Sequence, residues 1–547
     1  TIQPDQSALA EAERPSPAAI GDPALRSLAA AVSHHLKGQR EDALLALESA
    51  PESGSSLAEV LAARGHIQLE LERYADAAES YARLRELRPD HAEVSFSLGL
   101  CLQKLGRHAD AVDCFRQALT LGGKHLETQL AIGECLLRLN KHQEALEAFD
   151  ACLAVAPESE EALFGRAVAL QLSWEFEEAA ALYERILERN PKSEDALVNM
   201  ISIDMQRKDH DMVRAHAGRL LVLRPDAAAG LEGLASAAFA QEDFASAAEH
   251  TAHLTRIVPK VYDHWFNLGV ACQRLGRLQD AVDAYTQARE ARPEAIYTHV
   301  NLGTVYQELG ELGLARAAFE RAVQVAPERD DLRFQVALLA ERQESYEEAE
   351  SLHAKLVERS PEMEHSWFRL GYLRLRRGDH QGSIAAFAAC LERRTDWPEA
   401  QINLSLAYWK LARYEQAETV LESLLACHPD SVDALRGLAA TALERRDTER
   451  ALAFHRRLIQ VGEADAEVLY NSGVLSQQLG KMEDAAQFYR FALDARADFP
   501  EAMLNLGHAL DALGREKEAR EHWISALAAK PELARGYFHR NLTNPAA

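Results

Sequence analysis

The sequence predicts an all-α chain, a solenoid of about fifteen helix pairs. Three observations lead there. A 34-residue period runs from residue 24 to 533 without insertion or deletion. Each period holds two stretches in which apolar residues recur at three-to-four spacing, which makes two amphipathic helices. Small residues recur at fixed places, where two helix backbones must approach closely and a larger side chain would overpack. One helix pair buries too little apolar surface to stand alone, so neighbouring pairs must stack.

With units counted from residue 24, the elements follow in order. Residues 1–23 lack the basic and apolar parts of a signal peptide and read as a disordered Ala/Pro/Ser-rich leader. The chain begins with Thr, which leaves room for an upstream segment. In the first helix, position 8 is glycine in eight units: Gly65, Gly99, Gly133, Gly269, Gly303, Gly371, Gly473 and Gly507. In the second helix, position 20 is alanine in thirteen of fifteen, with Val213 and Ser383 the exceptions. An aromatic at position 24, such as Tyr81, Phe115, Phe149, Tyr183, Tyr285 or Tyr489, fills the space beside them. Proline at position 32, in ten units, ends the second helix because it lacks a donor and clashes with the preceding turn.

The units divide into an N-terminal arm (24–193), two irregular units (194–261) and a C-terminal arm (262–533). The irregular pair carries Ile201, Val213, Ala217 and Thr251 where the others have small or aromatic residues. Two readings stand there: locally compensated packing, or a flexible joint. Residues 534–547 read as a capping helix and tail over the last apolar face.

Composition excludes several function classes. The formal charge of −25 is spread along the chain, which disfavours nucleic-acid phosphates and anionic membranes. No run of about 18 apolar residues exists, so no membrane insertion is expected. Seven cysteines with no C-x-x-C pair fall at inward-facing positions, as buried free thiols of a reducing, cytoplasmic compartment. No phosphate-cradling loop, H-E-x-x-H or cysteine–histidine zinc spacing occurs. His250 and His253 share one helical face, and two ligands make no metal site, while His34 and His35 point two ways. The expectation is no catalytic residue, no metal and no cofactor. In overall composition the chain resembles bacterial proteins.

The unit at 262–295 carries Trp265, Leu268, Gly269, Ala281, Tyr285, Ala288 and Pro293. This pattern resembles the tetratricopeptide repeat over residues 24–533. The resemblance implies a right-handed superhelix whose first helices line a concave groove, with positions 2, 5, 6, 9, 12 and 13 facing into it. Position 6 is then of interest, because asparagine, a poor helix former, occupies it in six units: Asn199, Asn267, Asn301, Asn403, Asn471 and Asn505. A primary amide carries an acceptor and two donors, so such a ladder can grip a peptide backbone without reading its side chains. The arrangement is similar to the asparagine-lined superhelix of O-linked N-acetylglucosamine transferases, whose catalytic portion has no counterpart here.

Other groove positions carry selectivity. Position 2 is acidic in eleven units, which complements the helix dipole or makes a rim for basic segments. Position 5 is often aromatic, as in Phe96, Phe164 and Phe334, for helix packing or a greasy groove floor. Units 364–397 and 398–431 gather His365, Phe368, Arg369, Tyr372, Arg376, Trp409 and Lys410, a candidate hot spot for a carboxylate, phosphate or aromatic anchor. The alternative for Arg369 is a pair with a groove carboxylate. Val300, Thr304, Gln335 and His365 do not match the chaperone-type carboxylate clamp.

The reading is a non-catalytic scaffold or adaptor that holds an extended protein or peptide segment in its groove. Its alternatives are a substrate-recruiting subunit of an enzyme complex and a structural assembly protein using its convex face. Oligomeric state does not follow from the sequence.

Overall fold

The computed structural model describes residues 22–51 and 53–534. Among the described residues there are thirty α-helices and no strand, from Pro23–Leu36 to Glu516–Ala529. They alternate as first and second helices of fifteen pairs, in the register of the 34-residue period. The leader reading covers residues 1–23, but Asp22 caps the first helix by accepting from Ala24 N and Pro23 is its first residue. The remaining leader residues, and all but the first residue of the 534–547 cap, lie outside the described residues.

The chain divides into two compact units, Thr1–Ala284 and Tyr285–Ala547. Within each, a helix packs on its immediate neighbours and, more weakly, on the next helix but one, as in Glu194–Arg207 against Ala228–Ala240. No helix among the described residues is long and apolar enough to cross a membrane.

The recurring residues explain the packing. A Cβ added to Gly99 would lie 2.5 Å from the Phe115 ring, and one on Gly303 would lie 2.6 Å from Phe319. The position-24 ring therefore sits directly on the glycine backbone of its partner helix. Phe115, Phe149, Phe387 and Tyr489 are fully buried in this way, each contributing about 1.5–3 kcal/mol by removal from water. Position 4 ties a unit to the one before it. The indole N–H of Trp265 donates to Pro259 O at 2.8 Å, and that of Trp367 to Pro361 O at 2.8 Å.

The turn between the helices of a pair is the same in every unit. Position 15 is left-handed in all fifteen. Seven are glycine, among them Gly106 and Gly480, but eight are not, including Trp174, Ala412 and Arg446. The next residue closes the turn on the first helix, as in Arg107 N→Leu102 O at 2.9 Å and Glu175 N→Leu170 O at 3.0 Å, the glycine-type helix stop.

The irregular units fold as ordinary pairs. The space that an aromatic fills elsewhere is taken by Ile201 and Val213, which lie 2.8 and 3.3 Å from a Cβ placed on Gly233. Large-for-small at positions 8 and 20 thus offsets small-for-large at 24 and at position 6 of the next unit. The division between the compact units falls at Ala284/Tyr285, beyond this pair. One sequence expectation is corrected: Cys427, the last residue of helix Tyr414–Cys427, is exposed, while the other six thiols are buried. Its place at the helix end carries it past the packed face.

Candidate functional site

A groove with a cavity of about 1110 Å³ crosses the first helices of three successive units and the start of a fourth. Helix Glu160–Leu172 lends it one complete face: Glu161, Phe164, Gly165, Val168 and Leu172, at three-to-four spacing from its first turn to its last residue. Because the helix spans the groove, its two ends form the two rims. Glu160, Glu161 and Asp195, at helix N-termini, make one rim acidic. Lys104 and Arg138, at helix C-termini, make the other basic. Both signs suit the dipole of the helix that bears them. Between the rims the floor is apolar at Phe164, Val168 and Leu137, beside the buried Phe149, and polar at the hydrogen-bonded Gln103 and Glu134. Phe149 lies between two glycines, with Gly133 and Gly165 both placed so that a Cβ would strike the ring. Glycine at position 6 of this unit therefore opens the floor where other units carry asparagine.

The asparagine ladder is not uniform. Asn267 and Asn471 are exposed. Asn267 lines a second groove, with a cavity of about 560 Å³, together with Asp263, Glu232 and Phe239. The other four amides are engaged within the protein. Asn199 Nδ2 donates to Asp195 O at 2.9 Å and Asn403 Nδ2 to Glu399 O at 2.8 Å, each back onto its own helix. Asn301 Nδ2 donates to the Tyr285 hydroxyl at 3.1 Å, and Asn505 Nδ2 to that of Tyr470 at 3.0 Å. Ser97 serves the Tyr81 hydroxyl from the same position. At Asn301 and Ser97 position 6 thus meets the preceding unit's position 24 and satisfies a buried tyrosine hydroxyl, while Asn505 serves a half-buried tyrosine at position 5.

The same three-way meeting explains Arg369. At position 24 of the preceding unit stands His353, fully buried, with Nε2 2.9 Å from Glu341 Oε1. Arg369 donates to both oxygens of Glu341, with Nε 3.0 Å from Oε1. Burial alone would raise the Glu341 carboxyl. The hydrogen bonds and charges of His353 and Arg369 outweigh it and hold the group below the usual carboxylate range. The remaining residues of the predicted hot spot are also paired. Phe368 stacks on Trp397 at 4.7 Å, and His365 lies 5.2 Å from the same ring. The Arg376 guanidinium sits 3.8 Å above Tyr346, and Arg369 5.5 Å from Tyr372. Lys410 Nζ lies 5.4 Å from Trp409, whose buried indole N–H has no partner. Tyr372, at 39% exposure, and His365 are the exposed rings of the group.

Comparison with known families turns this geometry into an identification. Tetratricopeptide-repeat family models match residues 62–125, 130–195, 263–328, 300–364, 374–442 and 470–534, more than half of the chain. The chain belongs to the tetratricopeptide-repeat family. No curated protein matches it. Similar solved structures include the C-terminal part of a TPR repeat-containing protein from Cytophaga hutchinsonii, at 15% identity and TM-score 0.40, covering 44% of this chain and 99% of that one. YrrB, a TPR protein with an unusual peptide-binding site, is 21% identical with TM-score 0.31, covering 35% and 97%. The APC/C hetero-tetramer Cut9–Hcn1 is 16% identical with TM-score 0.30, covering 87% and 94%.

Within this tetratricopeptide-repeat chain, sequence reasoning named the groove-facing positions but not the stretch where they open a groove. Lys104, Arg138, Phe164 and Val168 were all readable at positions 13, 13, 5 and 9. Their common signal was the absence of a large side chain at position 6, where Gly165 leaves the floor clear. The position-2 acids are partly spent within the fold: Glu59 pairs with Arg88, Glu467 with Arg496 at 3.5 Å and Glu501 with Lys530 at 2.6 Å. His253 is held by Asp226 at 2.9 Å.

Proposed function

We propose that this chain is a non-catalytic scaffold or adaptor that holds an extended segment of a partner protein in the groove over residues 92–195. The observation that carries the reading is the groove of about 1110 Å³ itself, with an apolar floor between an acidic and a basic rim. Side chains of an extended chain alternate between opposite sides. A bound segment therefore sends acidic residues toward Lys104 and Arg138 and basic ones toward Glu160, Glu161 and Asp195. An apolar residue of the segment seats against Phe164 and Val168. The exposed amides of Asn267 and Asn471 offer further backbone contacts, each contributing about 0.5–1.5 kcal/mol net. The Arg369–Glu341–His353 group, already paired, acts as a structural element.

Affinity purification from the native cell tests this. Wild type is compared with a Phe164→Glu, Val168→Glu variant and with an Asn267→Ala, Asn471→Ala variant, circular dichroism confirming that each is folded. The expected result is a co-purifying protein lost from the first variant and reduced in the second. Partners retained in full by the first variant would contradict the proposal.

A further inference from the structure

Position 12 of one unit meets positions 9 and 13 of the next. Gln103 Nε2, for example, donates to Glu134 Oε2 at 2.9 Å. In the first two units these positions are His35, His66 and Glu70. Their ligand atoms all lie within 4.8 Å of one another. His35 Nδ1 is 3.5 Å from Glu70 Oε2, and His66 Nε2 is 3.6 Å from Glu70 Oε1. Ligand atoms around a tetrahedral cation at zinc–nitrogen distances stand about 3.4 Å apart. His35 Nδ1 is buried and makes no hydrogen bond. A nitrogen withdrawn from water, without a hydrogen bond and beside a carboxylate oxygen, is placed as a metal ligand would be.

We propose that His35, His66 and Glu70 form a binding site for a divalent transition cation, zinc foremost. Two imidazoles and one carboxylate suit that class of ion, and three protein ligands leave a coordination position for water. Arg40 Nε now donates to Glu70 Oε2 at 2.9 Å. Its guanidinium supplies the positive charge beside the carboxylate and competes with the ion for that oxygen. His34 is turned away, its Nδ1 3.2 Å from Gln39 Oε1, and supplies no ligand.

The site joins two repeat units. Its ligands come from helices Pro23–Leu36 and Leu57–Glu70, so a bound cation crosslinks the first pair to the second. Among the described residues the first pair packs on the second pair alone. Its second helix, Arg40–Glu48, is nine residues long, where most others have thirteen or fourteen. A cation that binds the folded arrangement and not the unfolded one stabilises it by mass action.

The test is calorimetric titration of the full chain with zinc chloride, in a Cys427→Ser background that removes the exposed thiol. It is paired with hydrogen exchange of residues 23–48 with and without zinc. The expected result is one zinc ion per chain and slower exchange in 23–48. His66→Ala and Glu70→Gln should each weaken binding at least about tenfold, and Arg40→Gln should tighten it. Circular dichroism guards against misfolding, and the gain in Arg40→Gln is one that misfolding would not produce. Absence of zinc binding, or equal affinity in wild type and His66→Ala, would overturn the site.

Discussion

At the scale of single residues, position 15 makes a prediction that side-chain contacts would not suggest. Ala412 holds a left-handed backbone, φ 54°, in a turn where seven of the fifteen units use glycine. The left-handed region costs a residue with a Cβ about 1–2 kcal/mol, which glycine's greater freedom in the unfolded chain offsets only partly. Ala412→Gly should therefore stabilise the pair Pro398–Lys410/Tyr414–Cys427 by about 0.5–1 kcal/mol. Hydrogen exchange of that pair measures it, and faster exchange in the variant would refute it. Arg369→Ala should act in the opposite sense, because Glu341 is buried and loses a partner that donates to both of its oxygens. About 1–2 kcal/mol is expected in urea melts, less than for a fully buried pair because the guanidinium is 33% exposed. The sequence placed Arg369 at a groove position and left its pairing with a carboxylate open. It could not show that His353 and Glu341 meet there, since the three residues come from three different helices.

At the scale of the helix pair, the sequence was most legible, because each recurring residue has a local cause. Gly99 was readable from the ring that covers it, Pro89 from the helix that stops before it at Leu87. The asparagines were less legible. Asn301 and Asn267 look alike in sequence, yet one holds a tyrosine hydroxyl and the other is exposed. What differs is the residue at position 24 of the preceding unit, tyrosine in one case and Thr251 in the other. Where that place holds His455, burial lowers the imidazole pKa below its ordinary value, against a backbone hydrogen bond at Val468 and the charge of Asp465. A histidine with a depressed folded pKa contributes stability above its unfolded pKa of about 6.5, and that contribution is lost as pH falls through the window toward the folded value. His508 and His522, also lowered by burial, act in the same direction. Wild type should therefore lose more stability between about pH 7.5 and 5.5 than His455→Phe. Thermal melts at the two pH values decide it, and equal losses would contradict the account.

At the scale of the whole molecule, the repeat makes stability a sum over pairs and their neighbours, while the groove arises from particular units. The period and the fifteen pairs were present in the sequence, and the groove-facing positions followed only from the family resemblance. The place where the groove opens was not, because it depends on what one unit leaves unfilled above Phe149, between Gly133 and Gly165. The most direct measurement is the affinity of a groove ligand. Twelve-residue peptides are selected from a display library on the wild-type chain, and the enriched sequence is titrated by fluorescence anisotropy. The account predicts peptides with an apolar residue among alternating charges, whose affinity falls at least about tenfold, or 1.4 kcal/mol, in Phe164→Glu, Val168→Glu. Enriched peptides that bind the variant as tightly as the wild type would contradict it.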